Sequence, residues 1–191
     1  MMIKIGILGE IGAGKSYVAN HFGFPVFNAD NEVSKLYSKN KNIFYKLNKK
    51  LPKYIYSFPV EKKQITKAIL SNNSNFKKIL KIVHEEIRKK MNLFIKKNKN
   101  KKIVILDIPL LLENKIHNKK DILVFVESPK AEIKKRLKKR PNFNNKLFNK
   151  FKKIQFTSVY KKRKAKFIIK NKFTKKSVKI DIKNILNQFC R

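Results

Sequence analysis

The sequence has 191 residues, 42% of them hydrophobic, which suits one globular domain with a buried core and excludes a disordered chain. Lys and Arg number 49 against 12 Asp and Glu, for a formal net charge of +37. Such a surplus ordinarily points to nucleic acid or a membrane surface. The chain is also crowded with Lys, Asn, Ile and Phe and poor in Gly, Pro and Trp, so AT-rich coding drift on a solvated surface is the competing account, and either one admits an anionic small molecule.

Ile3 to Leu8 has the apolar run of a strand, Lys15 to Phe22 reads as the helix after a tight turn, and Pro25 to Phe27 as a second short strand. Met1 to Leu8 is too short, and too soon followed by Glu10 and Lys15, for a signal peptide. From Asn31 to about Asn100 the pattern is mostly helical, with a break at "LPKYIYSFPV" where Pro52 and Pro59 interrupt it. Within it, Phe76 to Ile95 carries Ile79, Ile82, Val83, Ile87, Met91 and Leu93 at helical spacing. "KKIVILDIPLLLEN" predicts a buried strand running into a loop, and "DILVFVE" a further buried strand. The run Ile103 to Leu112 holds Asp107 and Pro109 and is too short to span a bilayer, so a cytoplasmic protein without a membrane partner is expected. Lys130 to Tyr160 is a very basic helical segment broken at Pro141, "KFIIKN" a last short strand, and Val178 to Phe189 a closing helix. The lone cysteine, Cys190, makes no internal disulfide and has no Cys/His cluster beside it to form a zinc site. Short apolar strands alternating with helices predict an α/β fold with a parallel sheet covered on both faces.

Gly9-Glu10-Ile11-Gly12-Ala13-Gly14-Lys15-Ser16 matches G-x-x-x-x-G-K-[ST] in full, between a strand and a helix. Glycines let backbone N–H groups turn inward around an anion, Lys15 reaches the β- and γ-phosphates, and the Ser16 hydroxyl can ligate magnesium. An ordinary Gly-rich turn accounts for the glycines but not for the Lys-Ser pair. The expected ligand is a nucleoside triphosphate with Mg2+, contacted by residues Gly9 to Ser16 and by the adjoining Tyr17. Asn118-Lys119-Lys120-Asp121 spells the N-K-x-D string of guanine readers, but it precedes a buried strand instead of following one, and Asp107 lacks the D-x-x-G glycine. Chance suffices for it in so Asn- and Lys-rich a chain.

Asp30 follows the second strand. It can orient an attacking hydroxyl and accept its proton, or it can cap a helix beginning at Asn31; taken alone, its position leaves both open. Asp107 closes an apolar strand and can hold magnesium through water or serve as a structural strand-end acid. Arg136 and Arg140 lie four apart, which would put both guanidinium groups on one helix face toward phosphates, unless they belong to a solvated basic face.

Together these residues resemble the dephospho-CoA kinase family. Its G-G-I-G-S-G-K-[ST] stands as "GEIGAGKS", its D-A-D as Asn28-Ala29-Asp30, its L-x-H-P cluster as "IVHEEI" around His84, and its P-L-L-x-E as Pro109-Leu110-Leu111-Leu112-Glu113. The lid R-x-x-x-R matches Arg136 and Arg140, the later glutamine Gln155, and the A-D-x-x-I-x-N tail Ala165 through Asn171. The resemblance implies transfer of the γ-phosphate of ATP to the 3′-hydroxyl of dephospho-CoA on a three-layer P-loop fold. Its core would be residues 1–30, 101–129 and 161–191, with a helical acceptor-binding insert at 31–100 and a lid at 130–160. It also implies Asp30 as base or positioning acid, with Lys15 and Arg140 neutralising charge on the transferred group and Arg136 contacting ATP. His84, Pro109, Leu110, Leu111 and Glu113 would lie on the acceptor side. Asn28, Glu85 and Lys166 depart from the family's Asp, Pro and Asp, and Glu10 replaces a cradle glycine.

Two other readings share parts of this pattern. Another nucleoside or nucleotide kinase has the cradle and lid but not the P-L-L-x-E segment, and a substrate panel separates the two. A nucleic-acid-binding ATPase fits the charge and predicts salt-sensitive binding and stimulated hydrolysis. The expected partners are ATP and dephospho-CoA, with no obligatory nucleic acid, and the expected state is a monomer.

Overall fold

A computed structural model describes residues 2–141 and 143–189. Cys190 lies outside them. The chain forms two compact units: residues 1–28, 97–143 and 151–191 make the first, and residues 29–96 and 144–150 the second.

The first unit holds the sheet. Its strands are β1 (Ile3–Gly9), β2 (Val26–Asn28), β3 (Ile103–Asp107), β4 (Ile122–Glu127) and β5 (Phe167–Lys170), all parallel, in the order β2-β3-β1-β4-β5. Every residue of β3 is buried, as are the middle four of β4. This is why these strands read as continuous apolar runs: a parallel sheet covered on both faces has no polar side to alternate with. Helix α1 (Lys15–His21) packs on β1, β2 and β3, the C-terminal helix α9 (Lys175–Asn187) on β5 and α1, and α8 (Ser158–Lys164) on β1 and β4. The architecture is the three-layer α/β arrangement expected. The connection leaving β1 runs toward β2 and the one leaving β4 toward β5, so their loops diverge and open a crevice at the carboxyl ends of these strands, where open α/β sheets bind ligands.

The second unit is helical: α2 (Ala29–Lys39), α3 (Lys41–Lys50), α4 (Lys62–Ser71) and most of α5 (Asn73–Lys97). Asn40 caps α3 by accepting from the Ile43 N–H at 3.0 Å. The proline-bearing stretch stays irregular, as predicted, tied down by the Asn48 amide donating to the Ile55 carbonyl at 2.7 Å and by the Val60 N–H donating to the Tyr37 carbonyl at 2.9 Å. Along α5 the buried stripe is Phe76, Ile79, Val83, Ile87 and Met91. Leu93, expected in it, is 57% exposed; its angular position lies two residues past Met91, off a stripe that advances by three and four.

The basic segment after β4 is interrupted around Pro141, as expected, and once more before Ser158, so it forms three helices: α6 (Lys130–Lys138), α7 (Asn145–Ile154) and α8. Helix α9 starts three residues earlier than the sequence suggested.

Ile105 is fully buried, in register with Ile5 on β1 and Val26 on β2. Ile105→Ala is expected to destabilise the protein by about 2–5 kcal/mol, seen as a lower urea midpoint at unchanged slope.

Candidate active site

The cradle begins where β1 ends at Gly9 and closes where α1 begins at Lys15. Gly14 caps α1 in the left-handed region at φ 83°, and a Cβ there would come within 2.5 Å of the Asn171 amide nitrogen, so both backbone and space demand glycine. Asn171, fully buried, donates through Nδ2 to the Ala13 carbonyl at 3.0 Å and accepts from the Phe173 N–H through Oδ1 at 2.8 Å. The Ser128 hydroxyl donates to the same Ala13 carbonyl at 2.8 Å. Two side chains from beyond β5 and β4 thus hold the back of the loop. Gly12, at φ 90°, leaves room for Ile133 and Leu137 of α6, whose atoms would sit 3.1 Å from a Cβ. The Lys15 ammonium donates to the carbonyls of Glu10 at 2.8 Å and Gly9 at 3.3 Å.

At the carboxyl edge of the sheet three polar side chains meet. Asp107, 3% exposed, ends β3, and Asn28 ends β2 as its register partner. The Asn28 Nδ2 donates to Asp107 Oδ2 at 2.6 Å and lies 3.4 Å from Ser16 Oγ. Among the described residues no group of three or more His, Cys, Asp or Glu comes together to cage a metal. One buried carboxylate and one hydroxyl, both hard oxygen donors, fit a magnesium ion that takes its remaining ligands from phosphate and water.

The Pro109–Glu113 turn follows β3, with Leu110, Leu111 and Leu112 buried. Glu113 forms an ion pair with Lys161 at 2.9 Å, the two side chains 8% and 3% exposed, and its Oε1 also accepts from the Phe156 N–H at 2.9 Å. The Gln155 amide reaches the Pro109 carbonyl at 3.4 Å. Glu10, the acid in the cradle, accepts from the Ser158 hydroxyl. Residues 155–161 therefore brace both the turn and the cradle.

Arg136 lies on α6, its guanidinium 4.4 Å from the Phe173 ring centroid. Arg140 does not share its helix face, because α6 stops at Lys138 and Arg140 precedes Pro141, which disfavours the helical region for it. Tyr17 stacks on His21, with ring centroids 4.1 Å apart. Asp30 belongs to the second unit, inside the first turn of α2, which starts at Ala29. The capping alternative therefore falls away. His84 is half-buried on α5; burial, and secondarily the positive Arg88, hold its imidazole below the usual 6.5. The N-K-x-D look-alike is a structural turn: Asp121 accepts from the Asn118 N–H at 2.9 Å and pairs with Lys4 at 2.9 Å. Ser128 and Phe173 had no signal in the sequence, and the resemblance located Asn171 without giving it this work.

The sequence profile described as Dephospho-CoA kinase matches residues 3–176. The chain belongs to the dephospho-CoA kinase family. Membership makes it a kinase family protein of coenzyme A biosynthesis. It is similar to the dephospho-CoA kinase of Wolbachia sp. subsp. Brugia malayi (strain TRS), 32% identical over 188 residues and covering 96% of each chain. Its fold is that of a Thermus thermophilus crystal structure (TM-score 0.78, 23% identity, 98% of this chain and 97% of that one) and of the dephospho-CoA kinase from Campylobacter jejuni (TM-score 0.63, 20% identity, 97% and 96%). Two of the family departures, Lys166 and Glu85, are exposed, and Glu85 lets α5 run unbroken where a proline would remove a helix bond.

Removing one partner of the buried pair should be costly, so Glu113→Leu is expected to lose about 3–5 kcal/mol in chemical denaturation while Glu113→Leu with Lys161→Met recovers most of it. An NMR titration of His84 should give a midpoint below 6.5, raised in part by Arg88→Ala. Because the unfolded chain takes up this proton first, the His84 contribution to stability falls as pH drops below 6.5.

Proposed function

We propose that the protein transfers the γ-phosphate of ATP to the 3′-hydroxyl of dephospho-CoA, giving CoA and ADP. What carries the reading is a complete P-loop whose Ser16 shares a corner with the strand-end acid Asp107, in a chain that matches the dephospho-CoA kinase profile over residues 3–176. The main job of such a site is positioning and charge neutralisation, since phosphoryl transfer needs little covalent help from protein.

Lys15 leaves the carbonyls of Gly9 and Glu10 and turns its ammonium to the β- and γ-phosphates, while the N–H groups of the cradle hold the phosphate chain. Asp30 orients the 3′-hydroxyl and takes its proton as the oxygen attacks the γ-phosphorus and the bond to the ADP oxygen breaks. Arg136 and Arg140, from a lid spanning residues 130–160, add positive charge at the phosphates. Closure of that lid keeps water from competing as acceptor. His84, on an insert spanning residues 31–100, and the Pro109–Glu113 turn serve the acceptor; neutral His84 contributes a hydrogen-bonding ring without adding charge. Ser16 and Asp107 hold Mg2+, which neutralises phosphate charge when bound.

Purified protein with Mg·ATP should add one phosphate to dephospho-CoA and not to adenosine, AMP, CMP or single-stranded RNA, followed by ADP release and product mass. Asp30→Asn is expected to lower kcat by about 10²–10⁴-fold. Turnover with another acceptor, or only with RNA, would overturn the reading.

A further inference from the structure

We propose that Asn28 is a positioning residue that stands in for the divalent cation in the nucleotide-free protein, its amide bridging the Ser16 hydroxyl and the Asp107 carboxylate until the ion arrives with the nucleotide. The argument starts from register. Asn28 and Asp107 are paired positions on adjacent parallel strands, and strands about 4.8 Å apart put paired side chains side by side on one face. A carboxylate can only accept, so the amide nitrogen is the end that faces it, and the 2.6 Å separation makes this a short, charge-assisted bond. The same nitrogen lies 3.4 Å from Ser16 Oγ, so one donor spans the two oxygens that would ligate or water-bridge a magnesium ion.

Asp107 is 3% exposed, and a carboxylate so buried requires a partner. The family pattern that this chain resembles has an acid at position 28. Two carboxylates held that close would repel and draw in a cation; an amide instead satisfies Asp107 with no ion present. The corner then offers one charge and one hydroxyl, too few hard donors to hold a divalent ion without phosphate oxygens. Metal entry becomes conditional on nucleotide entry. This rests on the proposed function only in taking Ser16 and Asp107 as the magnesium corner, and every measurement below omits the acceptor, so a wrong acceptor leaves the results unchanged.

Mn2+ binding to nucleotide-free protein, followed by electron paramagnetic resonance, should be undetectable for the native chain and for Asn28→Ala, and should become measurable for Asn28→Asp, which adds a carboxylate. Binding of a fluorescent ATP analogue should tighten severalfold in Asn28→Ala when Mg2+ is present, because the ion no longer has to displace an amide from Asp107, and stay unchanged in EDTA. A merely structural role would move both conditions alike. Native protein that binds Mn2+ without nucleotide, or whose Tm rises with Mn2+ alone, overturns the proposal even if neither variant folds; so does a folded Asn28→Asp that gains no Mn2+ affinity.

Discussion

The parallel pairing of β1 with β3 and β4, and of β3 with β2, sets the geometry at the phosphate end of the sheet. Strand ends on a parallel sheet all point the same way, so Gly9, Asn28, Asp107 and Glu127 are delivered to one edge without any loop having to reach for them. The pleat repeats every two residues, so a slip of β3 by one position would turn Asp107 to the other face and separate it from Asn28 and Ser16. That slip is resisted by the core, because it would also reverse Ile103, Val104, Ile105 and Leu106, all essentially solvent-free. Packing of aliphatic side chains thus enforces the alignment of polar ones.

Against this frame the extreme charge looks superficial in the literal sense. Among the described residues the buried polar or charged side chains are Lys15, Gln64, Asn75, Asp107, Lys161 and Asn171. Three of the six, Lys15, Asp107 and Asn171, line or brace the cradle, and Lys161 neutralises Glu113 beside it. Apart from Lys15 and Lys161, no lysine or arginine is among these buried side chains, as expected where an ammonium without a buried partner is costly. No helix among the described residues is long and apolar enough to cross a membrane.

Much of this was legible in the sequence because the physics there is local. The glycine spacing, the Lys-Ser pair, the apolar strands and the stripe on α5 each follow from a few neighbouring residues. What stayed hidden was long-range or marginal. Glu113 and Lys161 are 48 positions apart, and nothing in either neighbourhood names the other. Ser128 is one serine among many until its hydroxyl is seen on Ala13. The face expected to carry both Arg136 and Arg140 failed on a boundary, although Pro141 marked it, because the lysine-rich run before it favours helix throughout. Asp30 was ambiguous for a similar reason: whether it caps or sits inside α2 turns on a shift of two residues.

The bonds from Lys15 to the Gly9 and Glu10 carbonyls bear on how tightly the cradle grips. Its ammonium is not waiting in solvent; it is already engaged with the loop that carries it. Nucleotide binding is therefore an exchange of partners for that cation, and only the difference between phosphate and carbonyl contributes to affinity. In the proposed reaction the same exchange would run in reverse as ADP departs, the carbonyls reclaiming the charge as the phosphates withdraw. A loop that partly satisfies its own lysine leaves no bare buried charge behind when an anion withdraws from it.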